Sequence, residues 1–220
     1  AQVIDVNMDE GLLDSVAAMR TFLNLLAAEP DIARVPIMID SSKWEVIEAG
    51  LKCVQGRAIV NSINLEAGED KANIVVPLAV QHGAALIALT IDEVGMAKTA
   101  DRKVEIAKRI TELCESHGLE REALIFDVLT FTLTTGDDEW KPSAIETIEG
   151  IRRVKEEIPG VKTSLGVSNV SFGVGPRAPA GPPPGWNEAA PILSLSLGRQ
   201  RLLAFAELVE QRHMGAVADS

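Results

Sequence analysis

The chain has 220 residues, 46% hydrophobic and 24% charged, with a formal net charge of −11 at pH 7 and a pI near 4.8. That length suits one large domain or a piece of one, and the acidity argues against nucleic acid, whose phosphates call for a basic face. No apolar run approaches the roughly 20 residues of a membrane span and the N-terminus lacks a signal pattern, so a cytoplasmic protein with no membrane partner is expected.

The chain opens on "AQVIDVNMDEG", where an apolar run from Val3 to Val6 is broken by Asp5 and ends in Asn7 and Asp9. Leu12, Val16, Met19, Leu23 and Leu26 then step by three or four, which places one apolar stripe on a helix. The next run, "VPIMIDSS", stops abruptly at the carboxylate Asp40, and Ser42 to Glu45 spells S-x-x-E, a capping box for the following helix. "RAIVNSINLEAG", "AALIALTIDEVG", "ALIFDVLTFTLTTG" and "VKTSLGVSNVSFG" follow the same plan, each a short hydrophobic run with an acid or amide at or near its end. Ile145, Ile148, Ile151, Val154 and Ile158 mark a further helix, while Gly50, Gly83, Gly118 and Gly160 sit where helices stop or the chain turns back.

Strands apolar on both faces and alternating with helices belong to a parallel sheet built of βαβ units. Both a barrel and an open doubly wound sheet fit that alternation. No G-x-G-x-x-G or G-x-x-x-x-G-K-[ST] follows any strand, which weakens a nucleotide-binding sheet. Polar residues at the ends of many successive strands favour a TIM (β/α)8 barrel, whose site is assembled from several strand ends. In that fold Asp5 or Asn7, Asp40, Asn61, Asp92, Asp127 and Asn169 converge on one mouth.

An Asp or Asn after a strand often does no more than cap the next helix. For Asp40 that explanation weakens because Ser42 is already placed to cap. "NSIN" around Asn61 and "VSNVS" around Asn169 are also richer in hydrogen-bonding groups than a cap needs. Carboxylates accept from N–H groups while amides both donate and accept, a set suited to the edge of a planar heterocycle such as an aminopyrimidinone. Metal binding is the competing use, but neither an EF-hand loop, nor H-E-x-x-H, nor a cysteine cluster is present. Cys53 and Cys114 lie far apart, and His82, His117 and His213 lack metal spacing, so reduced thiols and no metal site are expected.

"AQVIDVNMDEG", "VPIMIDSSKWEVIEAGLKCVQGRAIVNSINLEAGE" and "GVSNVSFG" closely resemble the methyltetrahydrofolate-binding (pterin-binding) domain of cobalamin-dependent methionine synthases. The corrinoid methyltransferases and, more distantly, dihydropteroate synthases are its relatives. The resemblance runs from residue 1 to about residue 176 and implies a TIM barrel. It implies that Asp40, Asn61 and Asp127 bind the pterin ring and that Asn169 lies near N5 of the folate. Asn7, Asp92 and Asp5 are weaker candidates at the same mouth.

It further implies 5-methyltetrahydrofolate as substrate and methyl transfer to cob(I)alamin. Asn169 and Asp127 would stabilise the protonated N5 as the methyl leaves. No D-x-H-x-x-G surrounds any histidine, and the zinc-binding cysteines of the homocysteine module are missing. Cobalamin is therefore expected on another domain or protein, not bound stably here.

The chain begins inside the family's second strand, and the resemblance stops after "SFGVGP". Residues 1–176 read as a partial barrel, 177–198 as a Pro/Gly-rich linker and 199–220 as a tail with one amphipathic helix. A barrel lacking its first strand and last βα unit would expose two sheet edges. The alternatives are a catalytically silent folate-binding remnant and an enzyme like dihydropteroate synthase. The latter would want a phosphate-binding strand-end arginine and a loop lysine, neither recognisable in the sequence.

Overall fold

The computed structural model describes residues 2–131 and 143–166. Six parallel strands form its main sheet: β1 (Ile4–Asn7), β2 (Ile37–Asp40), β3 (Ile59–Ile63), β4 (Ala85–Leu89), β7 (Leu124–Asp127) and β8 (Lys162–Ser164). Their spatial order is β1-β2-β3-β4-β7-β8. Every strand pairs with the next one of the main sheet in the chain, so the order never reverses. That progression is the winding of a barrel and lacks the switch point of a doubly wound sheet. The described strands make an arc of a TIM-type barrel.

Helices α1 (Ser15–Ala27) and the single-turn α2 (Pro30–Ala33) connect β1 to β2, and α3 (Trp44–Leu51) connects β2 to β3. Beyond them α4 (Asp70–Gln81), α5 (Ala100–Ser116) and α6 (Ser143–Glu157) make the remaining crossovers. Successive residues of a strand face opposite sides, and here the two sides differ sharply. Val6, Ile39, Val60, Leu86 and Leu124 form a row facing the helices, each at most 4% exposed. Burying each such side chain stabilises the fold by about 1.5–3 kcal/mol. The alternate residues face the barrel axis and include Met38, Asp40, Ile59, Asn61, Ile125 and Asp127, all only half-buried.

Several local expectations need correction. Asp14 caps α1 by accepting from the Ala17 N–H at 3.1 Å, so the helix starts after Leu12, which is fully exposed. The capping box at Ser42 does not form; Lys43 occupies the cap position of α3 without a side-chain bond, because Ser42 is drawn to Asp9 instead. Gly50 does not end α3 but lies within it, where a Cβ would come within 2.9–3.2 Å of three Ile39 side-chain atoms. Its lack of a side chain lets α3 approach β2.

Gly83, Gly118 and Gly160 do turn the chain with positive φ. "AALIALTIDEVG" is not one strand: after β4 the chain folds into a small antiparallel hairpin, β5 (Ile91–Asp92) and β6 (Gly95–Met96). On α6 the stripe holds at Ile151 and Val154 and continues to Ile158 beyond it, but Ile145 is exposed and Thr147 is buried. Asn169, the linker at 177–198 and the tail at 199–220 lie outside the described residues.

Candidate active site

Parallel pairing places Asn7 beside Asp40 and Asp40 beside Asn61. Neighbouring strands lie about 4.8 Å apart, so one row at the C-terminal end of the sheet reads amide, carboxylate, amide. The Asn7 Nδ2 donates to Asp40 Oδ2 at 3.0 Å, while Asn7 Oδ1 accepts from the Asp9 N–H at 2.8 Å. Both ends of the Asn7 amide are thus spent, and Asp40 is held in one orientation. Among the described residues neither Asp40 Oδ1 nor the Asn61 carboxamide makes an internal hydrogen bond. An acceptor and a donor–acceptor pair stand side by side on the axial face, half-buried and unspent.

Asp9 organises the next loop. Its carboxylate accepts from Ser41 Oγ at 2.7 Å, from the Ser42 N–H at 2.7 Å and from Ser42 Oγ at 2.8 Å. Partial burial opposes ionisation of Asp9, but these bonds and the nearby Lys43 charge outweigh it and hold the carboxyl below its usual range. Lys71, in the first turn of α4, is also shifted below the usual lysine range. Burial lowers its pKa, although the charges of Asp9 and Asp40 work to raise it. Asp5, one step below the row on β1, is pushed up by burial and by the Asp40 charge.

Asp127 ends β7 level with Leu89 and Ser164. Burial raises its pKa, against the backbone N–H groups of Leu129 and Gly166 and the charge of Lys103. The Leu129 N–H donates to Asp127 Oδ1 at 2.8 Å. Leu129 itself has φ +61°, a left-handed conformation that costs a non-glycine residue about 1–2 kcal/mol. The cost is met by a clamp from behind. Lys103 of α5, wholly buried, donates from Nζ to the Val128 carbonyl and to the Leu129 carbonyl, the latter at 3.0 Å. Thr147 of α6 adds a bond to the same Leu129 oxygen at 3.2 Å.

Asp92 is 4% exposed, and both oxygens are engaged: Oδ1 accepts from the Val94 N–H at 3.1 Å and Oδ2 from Arg102. It closes the β5–β6 hairpin against α5. The structure thus gathers Asn7, Asp40 and Asn61 into one row, sets Asp127 across β4 from them and ties Asp92 into a hairpin, while Asn169 lies outside the described residues.

Ser41, Lys71, Arg102 and Lys103 escaped the sequence reading as site residues, and Asp9 entered it only as an end of the first run. Asp9 stands two residues after Asn7 in the opening motif, whereas nothing local in the sequence sets Lys71 or Lys103 apart from other helical lysines. Among the described residues no group of three or more His, Cys, Asp or Glu is placed to hold a metal ion, and no helix is long and apolar enough to cross a membrane.

Comparison with known proteins agrees with this architecture. A family model described as pterin binding enzyme matches residues 1–190. Among solved structures, the chain is similar to Yersinia pestis dihydropteroate synthase with a pterine–sulfa conjugate (13% identity, TM-score 0.54, covering 97% of this chain and 84% of that one). It is also similar to dihydropteroate synthase from Thermus thermophilus in complex with 6HMPPP (20% identity, TM-score 0.51, covering 97% and 83%). A Mycobacterium tuberculosis structure aligns over 75% of this chain at 18% identity and TM-score 0.52, and the chain spans 63% of its length. Identities this low speak to the fold alone.

Proposed function

The chain belongs to the pterin-binding enzymes, whose family model spans residues 1–190, and from that premise we propose that it binds 5-methyltetrahydrofolate and presents the N5-methyl group to cob(I)alamin. The observation that carries this reading is the in-register pair of Asp40 and Asn61, with Asp40 Oδ1 and the Asn61 amide unspent among the described residues. A pterin edge alternates N–H donors with ring-nitrogen and carbonyl acceptors, which a carboxylate and a carboxamide one strand apart complement. Asp127, made more basic by burial, is the second ring-binding acid in this scheme.

The finer assignment, to the methionine synthase branch, rests on "MIDSS", "IVNSIN" and "VSNVS". An unprotonated tertiary amine is a poor leaving group, so a proton must be held at N5 as the methyl departs. Asn169 would accept from that N5–H⁺ through its carbonyl oxygen, with Asp127 extending the network. Cob(I)alamin supplies the nucleophile, and with no D-x-H-x-x-G in the chain it would arrive on another domain or protein. A dihydropteroate synthase-like activity is the second reading, and the similar Yersinia pestis and Thermus thermophilus enzymes fit it in fold.

The test is titration of the full chain with 5-methyltetrahydrofolate by calorimetry, with Asp40→Ala as control. Losing a charge-assisted bond to the ring is expected to weaken binding at least about tenfold. Demethylation of the bound folate by added cob(I)alamin would support the methyltransferase. Binding without transfer would favour a silent remnant, and turnover of 6HMPPP instead would favour the synthase.

A further inference from the structure

A lysine buried to 0% exposure is unusual and calls for an explanation. Lys103 reaches through the layer between α5 and α6 to the loop that follows β7. The space it needs is kept open by Gly150 of α6, where a Cβ would come within 2.6 Å of Lys103 Cδ. Its Nζ lies 5.7 Å from the centroid of the Phe131 ring and donates to two consecutive carbonyls, those of Val128 and Leu129. A single ammonium serving two adjacent oxygens forces both to face α5. The chain then turns over at Leu129, φ +61°, and its N–H comes back onto Asp127 Oδ1 at 2.8 Å.

We infer that Lys103 is a positioning residue for Asp127: by holding the Val128 and Leu129 carbonyls, it fixes the turn whose Leu129 N–H aims the Asp127 carboxylate. This rests on the pterin reading only in giving Asp127 a ligand to face. A buried ammonium has three N–H donors to satisfy, and two of those of Lys103 go to consecutive carbonyls in the turn beside Asp127. Here the ammonium, the left-handed Leu129 and the Thr147 hydroxyl all act on the same two peptides. The charged groups facing Lys103 from the packed elements are Asp127 of β7 and Glu146 of α6. Its charge is therefore also felt by the carboxylate it aims.

The test replaces Lys103 by Met, which keeps the length and loses the charge and the donors. Two readouts are followed on the full chain: the affinity for 5-methyltetrahydrofolate as a function of pH, and the titration of the Asp127 carboxyl carbon by NMR. Folded Lys103→Met should bind at least about tenfold more weakly. Its Asp127 should titrate at higher pH than in the wild type, moving the acid limb of binding upward. Faster exchange of the Leu129 amide should accompany both.

Thr147→Val removes a second donor to the Leu129 carbonyl without touching a charge. It should speed the same exchange and weaken binding by a smaller factor, and it carries the test if the lysine variant does not fold. Unchanged affinity and Asp127 titration in a folded Lys103→Met, or unchanged Leu129 exchange in Thr147→Val, would overturn the assignment. If the wild type binds no pterin, that outcome counts against the pterin reading. The Asp127 titration and Leu129 exchange would still decide the role of Lys103.

Discussion

The two halves of the barrel mouth hold their acids by different means. At the ends of β1 and β2, Asn7 bonds Asp40 and Asp9 bonds Ser41 and Ser42, side chain to side chain, and of the five only Ser41 is buried. On the side of β4 and β7, the acids are more deeply set and are governed by two consecutive residues of α5. Arg102 pairs with Asp92 of the hairpin, and Lys103 clamps the turn beside Asp127. Adjacent helical residues point about 100° apart, so one helix placed between two strand ends can serve both. The first half leaves Asp40 Oδ1 and the Asn61 amide open to a ligand among the described residues, whereas the second half fixes its acids from behind.

The largest expected contrast is in alkaline stability. Burial lowers the Lys103 pKa from 10.5 to about 8, against the charges of Asp127 and Glu146. Between those values the unfolded chain binds the proton and the folded chain does not, so folding gains stability as pH rises from 8 towards 10.5. A difference of that size corresponds to at most about 3 kcal/mol. Urea unfolding at pH 7.5 and pH 10 should show this gain in the wild type and not in Lys103→Met. Parallel curves for the two proteins would mean that the lysine is not held as a buried cation.

A smaller effect tests the close layer on the other side. A Gly50→Ala Cβ would lie 2.9 Å from Ile39 Cδ1 and 3.0 Å from Cγ2. Ile39 is β-branched and wholly buried, so it has little freedom to move aside. Overpacking of this kind costs about 1–3 kcal/mol. Because Asp40 follows Ile39 directly, the strain should also weaken pterin binding, and calorimetry on the same variant would show whether it does.

Much of the exposed half could be read in the sequence, and little of the clamped half. Asp40 and Asn61 of the exposed half, and of the clamped half Asp127 alone, stand at or near the ends of runs such as "PIMID" and "LIFD", where the two-residue period of a strand and the parallel register fix which residues share a face. The alternation of runs and helices left barrel and open sheet equal, and the polar residues at successive strand ends favoured the barrel, whose sequential strand order the structure has. The hairpin was hidden because strands of two residues carry no period. In "ADRKVEIAKRI" nothing distinguishes Lys103 from the solvated charges around it except a slot at Gly150, which is remote in sequence and visible only once α5 and α6 pack. The capping box at Ser42 failed for a related reason, since local propensity yielded to Asp9, which is 33 residues earlier in the chain.

Asp9 provides the smallest predicted effect and the most direct check on the open half. Its three hydrogen bonds, from Ser41 and Ser42, hold its pKa below the ordinary 3.8 despite the opposing effect of burial. The stabilisation it provides is therefore complete above pH 3.8 and is lost as pH falls through the lower folded value. For a carboxylate this accessible the contribution is no more than about 1 kcal/mol. Asp9→Ala should lower stability slightly at pH 7, and the gap to the wild type should close on acidification as the wild-type carboxyl protonates. Lys71 would also lose one of the two acids that oppose its depression, so its pKa should fall further in the variant. A gap that instead persisted at low pH would mean that Asp9 acts through packing and not through its charge.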